Sequence, residues 1–428
     1  MKTLTWSTLS ATERSAALAR PAARRAPELV EGVAAILADV RDGGWDALCA
    51  IAARIDGAVP AKVAIAPLAA EARRSLPADT VAAMELAARN IRAFHEASRP
   101  ADVRLETMPG LLVEKAWRPL DRVGLYVPGG ATPLFSTLLM LALPARAAGV
   151  EEIIVVTPPA ANGLNPAIAL AAELCGIDSI WTVGGAQGIA ALAFGAGDIP
   201  ACPKICGPGN AWVAEAKGQA SALPGGPAID MPAGPSELMV IADSSASPAR
   251  VAADLLSQAE HDVSAQVLLV TTDDALAAAV AIEVDRQLAT LPRRAQAEQA
   301  LASGHSLVAV DLAEAAAIAN AYAPEHLCLA LADPEPLIGQ IRNAGAIFAG
   351  HAAAETFGDY LAGSSHVLPT DGAARAWSGI TTQSFMKAIG IQRVSAEAAR
   401  TLAAPAAALA RLESLEAHAR AADARAAA

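Results

Sequence analysis

The sequence predicts an α/β protein with two parallel-sheet domains, a helical N-terminal region and a helical C-terminal tail. Three observations predict it. Four times between residues 122 and 220, a short apolar strand runs into a Gly- or Pro-rich loop and then into a helix. A second series of apolar strands begins near residue 236, and strands stop after about Thr382. Such alternation is the pattern of a parallel sheet with helices on its faces. The composition agrees, with 54% hydrophobic residues but 4% aromatic, so alanine-rich helices carry much of the apolar count.

Within the first hundred residues, "ELVEGVAAILADVRDGG" reads as a helix with a glycine stop. "RVGLYVPGG" is a strand followed by the helical "LFSTLLMLALPARAAG", and "EEIIVVTPPA" is a strand followed by "NPAIALAAELCG". "SIWTVGGAQG" leads into "IAALAFGAG", and "PKICGPGN" into "AWVAEAKGQA". Further on, "SELMVIAD" and "AQVLLVTTD" flank a helix carrying Gln258 and His261. "SLVAVDL" and "GAIFAG" supply two more strands around "EAAAIANAYAPEHL". The tail is helical, with Leu409, Leu412 and Leu415 on one stripe.

A chain of 428 residues holds more than one domain, and a net charge of −12 argues against nucleic acid or anionic membrane as partner. Five cysteines without a C-x-x-C pair fit a reducing cytoplasm, and "MKTLTWSTLS" lacks the apolar core of a secretion signal. The uncharged run Val123 to Ala145 is long enough to span a bilayer. Pro128, Gly129, Gly130, Pro133 and Pro144 interrupt it, so a strand, a turn and a buried helix explain it better.

Five stretches could carry chemistry. In "LLSQAEHD", Gln258 and His261 lie three apart and share one helix face, which suits either a pair of ligands or a solvated helix end. "GGAQG" (184–188) and "GPGN" (207–210) present backbone N–H groups at helix starts, as a phosphate requires. Neither is the dinucleotide fingerprint, and such turns are common in any parallel sheet. "APEHL" sets Glu325 beside His326, a base for water next to a base for an alcohol. A surface Glu–His dipeptide is the commoner occurrence. "AETFGDYLAGSSHVLPT" offers Glu355, Asp359 and His366, with Asp359 a hard oxygen ligand suited to zinc or manganese. "ESLEAHA" supplies Glu413 and His418, ordinarily a solvated helix face.

Taken together and in order, "VGLYVPGG", "VGGAQGIAALAFG", "GPGNAWVAEAK", "DMPAGPSE", "DLLSQAEHD", "APEHL" and "GDY…HVLPT" resemble the histidinol dehydrogenase family. The resemblance runs from about Arg122 to Thr370, with a weaker continuation to the tail. It implies two Rossmann-like domains. One is a discontinuous domain (1–123 and 237–380) carrying zinc and the catalytic residues, the other an NAD-contacting domain (124–236). A helical tail (381–428) would pack on the partner subunit of a homodimer.

By the same resemblance, Gln258, His261, Asp359 and His418 hold one zinc ion. Glu325 and His326 are the catalytic pair, and Tyr126, Gln187 and Asn210 contact NAD. The substrate, L-histidinol, meets Ser236, Gln258, His261, His326, Asp359, Glu413 and His418, with His366 close by. The reaction implied is a four-electron oxidation to L-histidine through L-histidinaldehyde, with two NAD reduced. His326 would take the hydroxyl proton and Glu325 would activate the water. A homodimer exchanging its tails would put Glu413 and His418 in the neighbour's site.

Ser364 and Ser365 stand where the family usually has Thr or Pro followed by Asn. Rival readings are a sister dehydrogenase acting on another small alcohol such as a sulfonated diol, an aldehyde dehydrogenase using Cys206 as nucleophile, and a zinc- or nucleotide-binding protein without activity.

Overall fold

The computed structural model describes residues 1–20, 27–129, 134–231 and 234–426. Gly130 and Pro133 of the uncharged run, and Pro232 and Ala233 of "DMPAGPSE", lie outside the described residues. The chain opens with β1 (Lys2–Thr5), α1 (Ala11–Ala17), α2 (Pro27–Ile55), β2 (Lys62–Ala64), α3 (Ile65–Ser75) and α4 (Ala78–Ala97). A hairpin of β3 (Val103–Met108) and β4 (Leu111–Pro119) follows. Next come β5 (Arg122–Tyr126), α5 (Phe135–Ala148), β6 (Glu152–Thr157), α6 (Pro166–Leu174), β7 (Ser179–Thr182), α7 (Gly185–Phe194), β8 (Lys204–Cys206), α8 (Ala211–Ala222) and β9 (Ala228–Ile229). The next run is β10 (Glu237–Ala242), α9 (Pro248–Ala259), β11 (Gln266–Thr271), α10 (Asp274–Leu288), α11 (Arg294–Ala302), β12 (His305–Val308), α12 (Leu312–Tyr322), β13 (His326–Ala330), α13 (Glu335–Ile338), β14 (Ala346–Ala349) and α14 (Glu355–Tyr360). It ends with β15 (Met386–Val394), α15 (Ala396–Leu412) and α16 (Glu416–Asp423).

Two six-stranded sheets form, in the orders β1-β12-β11-β10-β13-β14 and β2-β7-β6-β5-β8-β9. All strand pairs are parallel except β2 against β7. Every residue of β10 and β11 is buried, as expected of strands covered on both faces. Each sheet has a core on either side. Side chains fix the helix starts: Asn165, Asn210, Asp273 and Asp311 each accept a backbone N–H of the following helix. The uncharged run is accounted for by the buried β5 and by α5, most of whose residues are buried. Among the described residues, no helix is long and apolar enough to cross a membrane.

Three expectations are corrected. First, residues 27–97 do not join the 237–380 sheet. The apolar stripe of α2 (Val33, Ile36, Leu37, Val40, Leu48, Ile51) shares a core with Tyr126, Trp181 and Leu192, and α3 and α4 pack on the opposite face of that same sheet. β1 and α1 do join the other sheet, where Trp6 and Ala17 pack. Second, the glycine stop near residue 44 is a kink: Gly44 takes φ 56° and ψ −134°, and helix resumes to Ile55. Third, the tail from residue 381 is not wholly helical. β15 pairs antiparallel with β4 over Met386–Val394, completing a three-stranded sheet β15-β4-β3. Beyond it, α15 and α16 fold against each other, burying Ala403, Ala407 and Ala419, while Leu409, Leu412 and Leu415 stay exposed.

Candidate active site

In each sheet the strand order reverses once, between β5 and β8 and between β10 and β13. Open α/β sheets bind ligands at the carboxyl ends of strands beside such a point. There, Gly207 sits with φ 128°, and a Cβ on it would lie 2.1 Å from the Tyr126 carbonyl oxygen, so only glycine fits. The loop is clamped by a buried pair. Lys217 Nζ donates to the Gly207 carbonyl at 2.9 Å and meets Asp230 Oδ1 at 2.5 Å, while the Gly207 N–H donates to Asp230 Oδ2 at 2.7 Å.

All three residues expected to contact NAD lie along this edge. Tyr126 ends β5, and its hydroxyl accepts the Gly185 N–H at 3.2 Å. Gln187, in the first turn of α7, donates through Nε2 to Asp56 Oδ2 at 2.9 Å, and that oxygen also takes the Gly184 N–H at 3.3 Å. Asn210 caps α8, its Oδ1 accepting the Val213 N–H at 3.2 Å. A cavity of about 710 Å³ opens at the same end of the sheet, lined by Gly129, Thr157, Asn162 and Thr182 among others but by none of these three residues.

The second sheet gathers titratable groups at its other, amino end. Proline after the left-handed Ala323 (φ 57°) turns the chain out of α12 and delivers Glu325 and then His326, the first residue of β13. Both side chains are buried. Glu325 Oε2 accepts the Glu237 N–H at 2.8 Å, and His326 Nδ1 lies 3.1 Å from the Glu237 carbonyl oxygen. Nδ1 is also 3.5 Å from both Glu325 Oε2 and Glu355 Oε1, and Nε2 is 3.7 Å from Asp359 Oδ1. The imidazole stacks on Phe348, with ring centroids 5.9 Å apart.

Glu355 and Asp359, one turn apart on α14, reach His326 from the side. His326, Glu355 and Asp359 bring ligand atoms within 4.8 Å of one another. α14 packs on α9, where the Ser257 hydroxyl meets Glu355 Oε2 at 3.5 Å. Next to Ser257, Gln258 is fully buried and its amide oxygen and nitrogen both lack a partner. His326 Nε2 and Glu355 Oε1 are likewise unpartnered. Buried polar atoms without partners are costly, and a metal ion is one group that would satisfy them.

Electrostatics reinforces the point. Burial pushes the Glu325 carboxyl up to about 7 and Glu355 up to about 8. Burial works to discharge His326, but Glu325, Glu355 and Asp359 outweigh it and hold its proton well above the usual histidine range. Asp359 titrates below the ordinary carboxylate range: burial opposes this, but its contacts with His326 prevail, aided by His366 and His261.

Of the expected ligands, Asp359 belongs to this cluster, His261 lies near enough to interact with Asp359 and His326, and Gln258 is buried on α9, which packs against α14. His261, one residue beyond the α9 cap, keeps an exposed edge; burial of the rest lowers its titration below the usual histidine range, against the pull of Asp359. His366 lies close by as expected: its Nδ1 donates to the Asp359 carbonyl at 2.9 Å, and its Nε2 is 3.5 Å from Thr137 Oγ1 on α5. Ser236, partly exposed, precedes Glu237, and its carbonyl accepts the Gln266 N–H at 2.9 Å.

Glu413 and His418 are not brought in. Glu413 caps α15 and His418 lies in α16; both are exposed on the helical hairpin at the end of the chain. Two rival points resolve. Cys206 is fully buried and burial pushes its thiol far up, so it is no nucleophile. Ser365 turns inward, its Oγ accepting the Val367 N–H at 3.1 Å. Sequence reasoning missed Asp56, Lys217, Asp230 and the Glu237 main chain. Lys217, Asp230 and Glu237 stand in "GPGNAWVAEAK" and "DMPAGPSE", but their types and spacing carry no chemical signature, and backbone groups have none.

The chain matches the family model for histidinol dehydrogenase over residues 19–426. It is 48% identical over 423 residues to the histidinol dehydrogenase of Xanthomonas campestris pv. campestris (strain 8004), covering 98% of each chain. Against that of Yersinia pestis it is 45% identical, covering 97% of this chain and 93% of the other. The crystal structure of histidinol dehydrogenase from Elizabethkingia anophelis superposes with a TM-score of 0.95 at 38% identity, over 99% of this chain and 98% of that one. The chain therefore belongs to the histidinol dehydrogenase family and is an oxidoreductase.

Proposed function

We propose that this enzyme oxidises L-histidinol to L-histidine through L-histidinaldehyde, using NAD twice and one zinc ion per subunit. The observation that carries the reading is the buried Gln258, whose amide oxygen and nitrogen both lack a partner, on the helix α9 that packs against α14 and its Asp359 carboxylate. Zinc would be held by Gln258, His261, Asp359 and the partner's His418, and would supply a Lewis acid that grips the imidazole and amine of the substrate. NAD would lie along Tyr126, Gln187 and Asn210 and supply the hydride acceptor.

The protein's own part is proton handling. Donation from His326 Nδ1 to the Glu237 carbonyl sets the ring with Nε2 toward Asp359, and a cation held by Asp359 would offset the carboxylates that otherwise keep the ring protonated, freeing Nε2 as the base. Nε2 takes the hydroxyl proton in the first oxidation and a hydrate proton in the second. Glu325 takes a proton from the water that adds to the aldehyde; burial has raised its basicity toward neutrality. The two bases are adjacent because one carbon needs both in turn. Ser236 and the partner's Glu413 complete the substrate contacts.

We place the protein in the cytoplasm, where five unpaired cysteines are stable, and assign it a homodimer with exchanged tails. The test is metal analysis with activity on L-histidinol before and after chelation. One zinc per chain and zinc-restored activity support the reading; full activity without metal contradicts it.

A further inference from the structure

Glu237 makes two kinds of contact. Its main chain holds both members of the catalytic pair: the N–H donates to Glu325 Oε2 at 2.8 Å and the carbonyl accepts from His326 Nδ1 at 3.1 Å. Its buried carboxylate holds Arg20 in a two-point contact, Nε to Oε1 and Nη2 to Oε2. The Asp371 N–H also donates to Oε1, at 2.8 Å.

Arg20 reaches further. Its Nη2 donates to the carbonyls of Tyr322 at 2.9 Å and Ala323 at 3.3 Å, and its guanidinium carbon lies 3.9 Å from the Tyr322 ring centroid. Those carbonyls end α12, where a cation is also favoured by the helix dipole. From that end the chain turns through Pro324 into Glu325 and His326. One guanidinium thus ties the start of β10 to the turn that delivers both bases. A planar fork can make these contacts together; an ammonium cannot.

We infer that the Arg20–Glu237 ion pair is a positioning device for catalysis, setting the Glu325 carboxylate and the His326 ring through the Glu237 main chain and the α12 turn. Arg20 touches no reacting atom, so its effect falls on the geometry of the bases. The inference rests on Glu325 and His326 being the catalytic pair.

The test uses the zinc-loaded full chain with L-histidinol. Arg20→Ala is expected to lower kcat by about a hundredfold, the loss that a displacement of about 1 Å brings, with KM and zinc content unchanged. Arg20 is 15% exposed, so added guanidinium can enter. It is expected to restore kcat in Arg20→Ala and to leave the double variant Arg20→Ala/Glu237→Gln unrestored. Wild-type kcat in Arg20→Ala, or a loss in a folded variant that guanidinium does not relieve, overturns the inference. Should Arg20→Ala not fold, Arg20→Lys decides. A lower kcat at unchanged KM supports the inference, and wild-type kcat overturns it. Glu325→Gln and His326→Asn are assayed alongside. If they keep full kcat, the catalytic reading falls and this one with it. If they lose it while Arg20→Ala does not, the positioning role alone falls.

Discussion

His326 Nδ1 lies 3.1 Å from the main-chain oxygen of Glu237, which turns the opposite nitrogen toward Asp359, 3.7 Å away. The ring therefore has one structural and one chemical nitrogen. His326→Asn can keep at most the first. It is expected to lower kcat for both oxidations by about a hundredfold to ten-thousandfold, the range for a lost general base. Steady-state assays with L-histidinol and with L-histidinaldehyde check this.

Glu325 has the narrower task of activating water. In Glu325→Gln the aldehyde step is expected to fall by a similar factor while alcohol oxidation falls less. Aldehyde released and trapped by a hydrazine reagent would measure the split.

Burial of Glu325 also sets a pH dependence of stability. Its carboxyl titrates at about 7 in the folded chain against an ordinary value of 4.5. Between those values the folded state holds a proton that the unfolded state has lost, so stability falls as pH rises through the window. The size is on the order of 3 kcal/mol. In chelated protein, Glu325→Gln is expected to gain stability relative to wild type between pH 5 and pH 8. Denaturant unfolding at the two pH values reads it.

The clamp on the Gly207 loop predicts a cofactor effect. Lys217→Met leaves Asp230 buried and unpaired, which costs about 3–5 kcal/mol of stability. The loop it holds lies on the edge assigned to NAD, so the KM for NAD is expected to rise while the KM for L-histidinol holds. Neutralising both, in Lys217→Met/Asp230→Asn, is expected to recover much of the stability.

Exchange of tails predicts complementation. His418→Ala and His326→Asn are each expected to be nearly inactive alone. A hetero-dimer places both defects in one site and leaves the other site native. Mixing after partial unfolding would then restore about a quarter of wild-type activity, by random pairing. Absence of recovery, with mixed dimers demonstrated by mass, would place His418 in its own subunit's site.

Most of the architecture was legible because buried parallel strands such as "ELMVIA" and "QVLLVT" carry unbroken apolar runs, "LMVIA" and "VLLV". β15 was not. It is exposed along nearly its whole length and pairs at an edge, so no buried face imposes alternation on "MKAIGIQRV". α2 reads as amphipathic, yet nothing in its pattern says which sheet receives its stripe. In the site, Glu325, His326, Gln258 and Asp359 stand in recognisable stretches. Arg20 and Glu237 act through a carbonyl, an N–H and a helix end 217 residues apart in sequence, and those links exist only once the chain has folded.

The most direct test of the account is the yield of NADH per L-histidinol consumed, before and after chelation. Two NADH per substrate, lost on chelation and restored by zinc, is the predicted result. One NADH per substrate, or a yield of two that survives complete removal of metal, would contradict it.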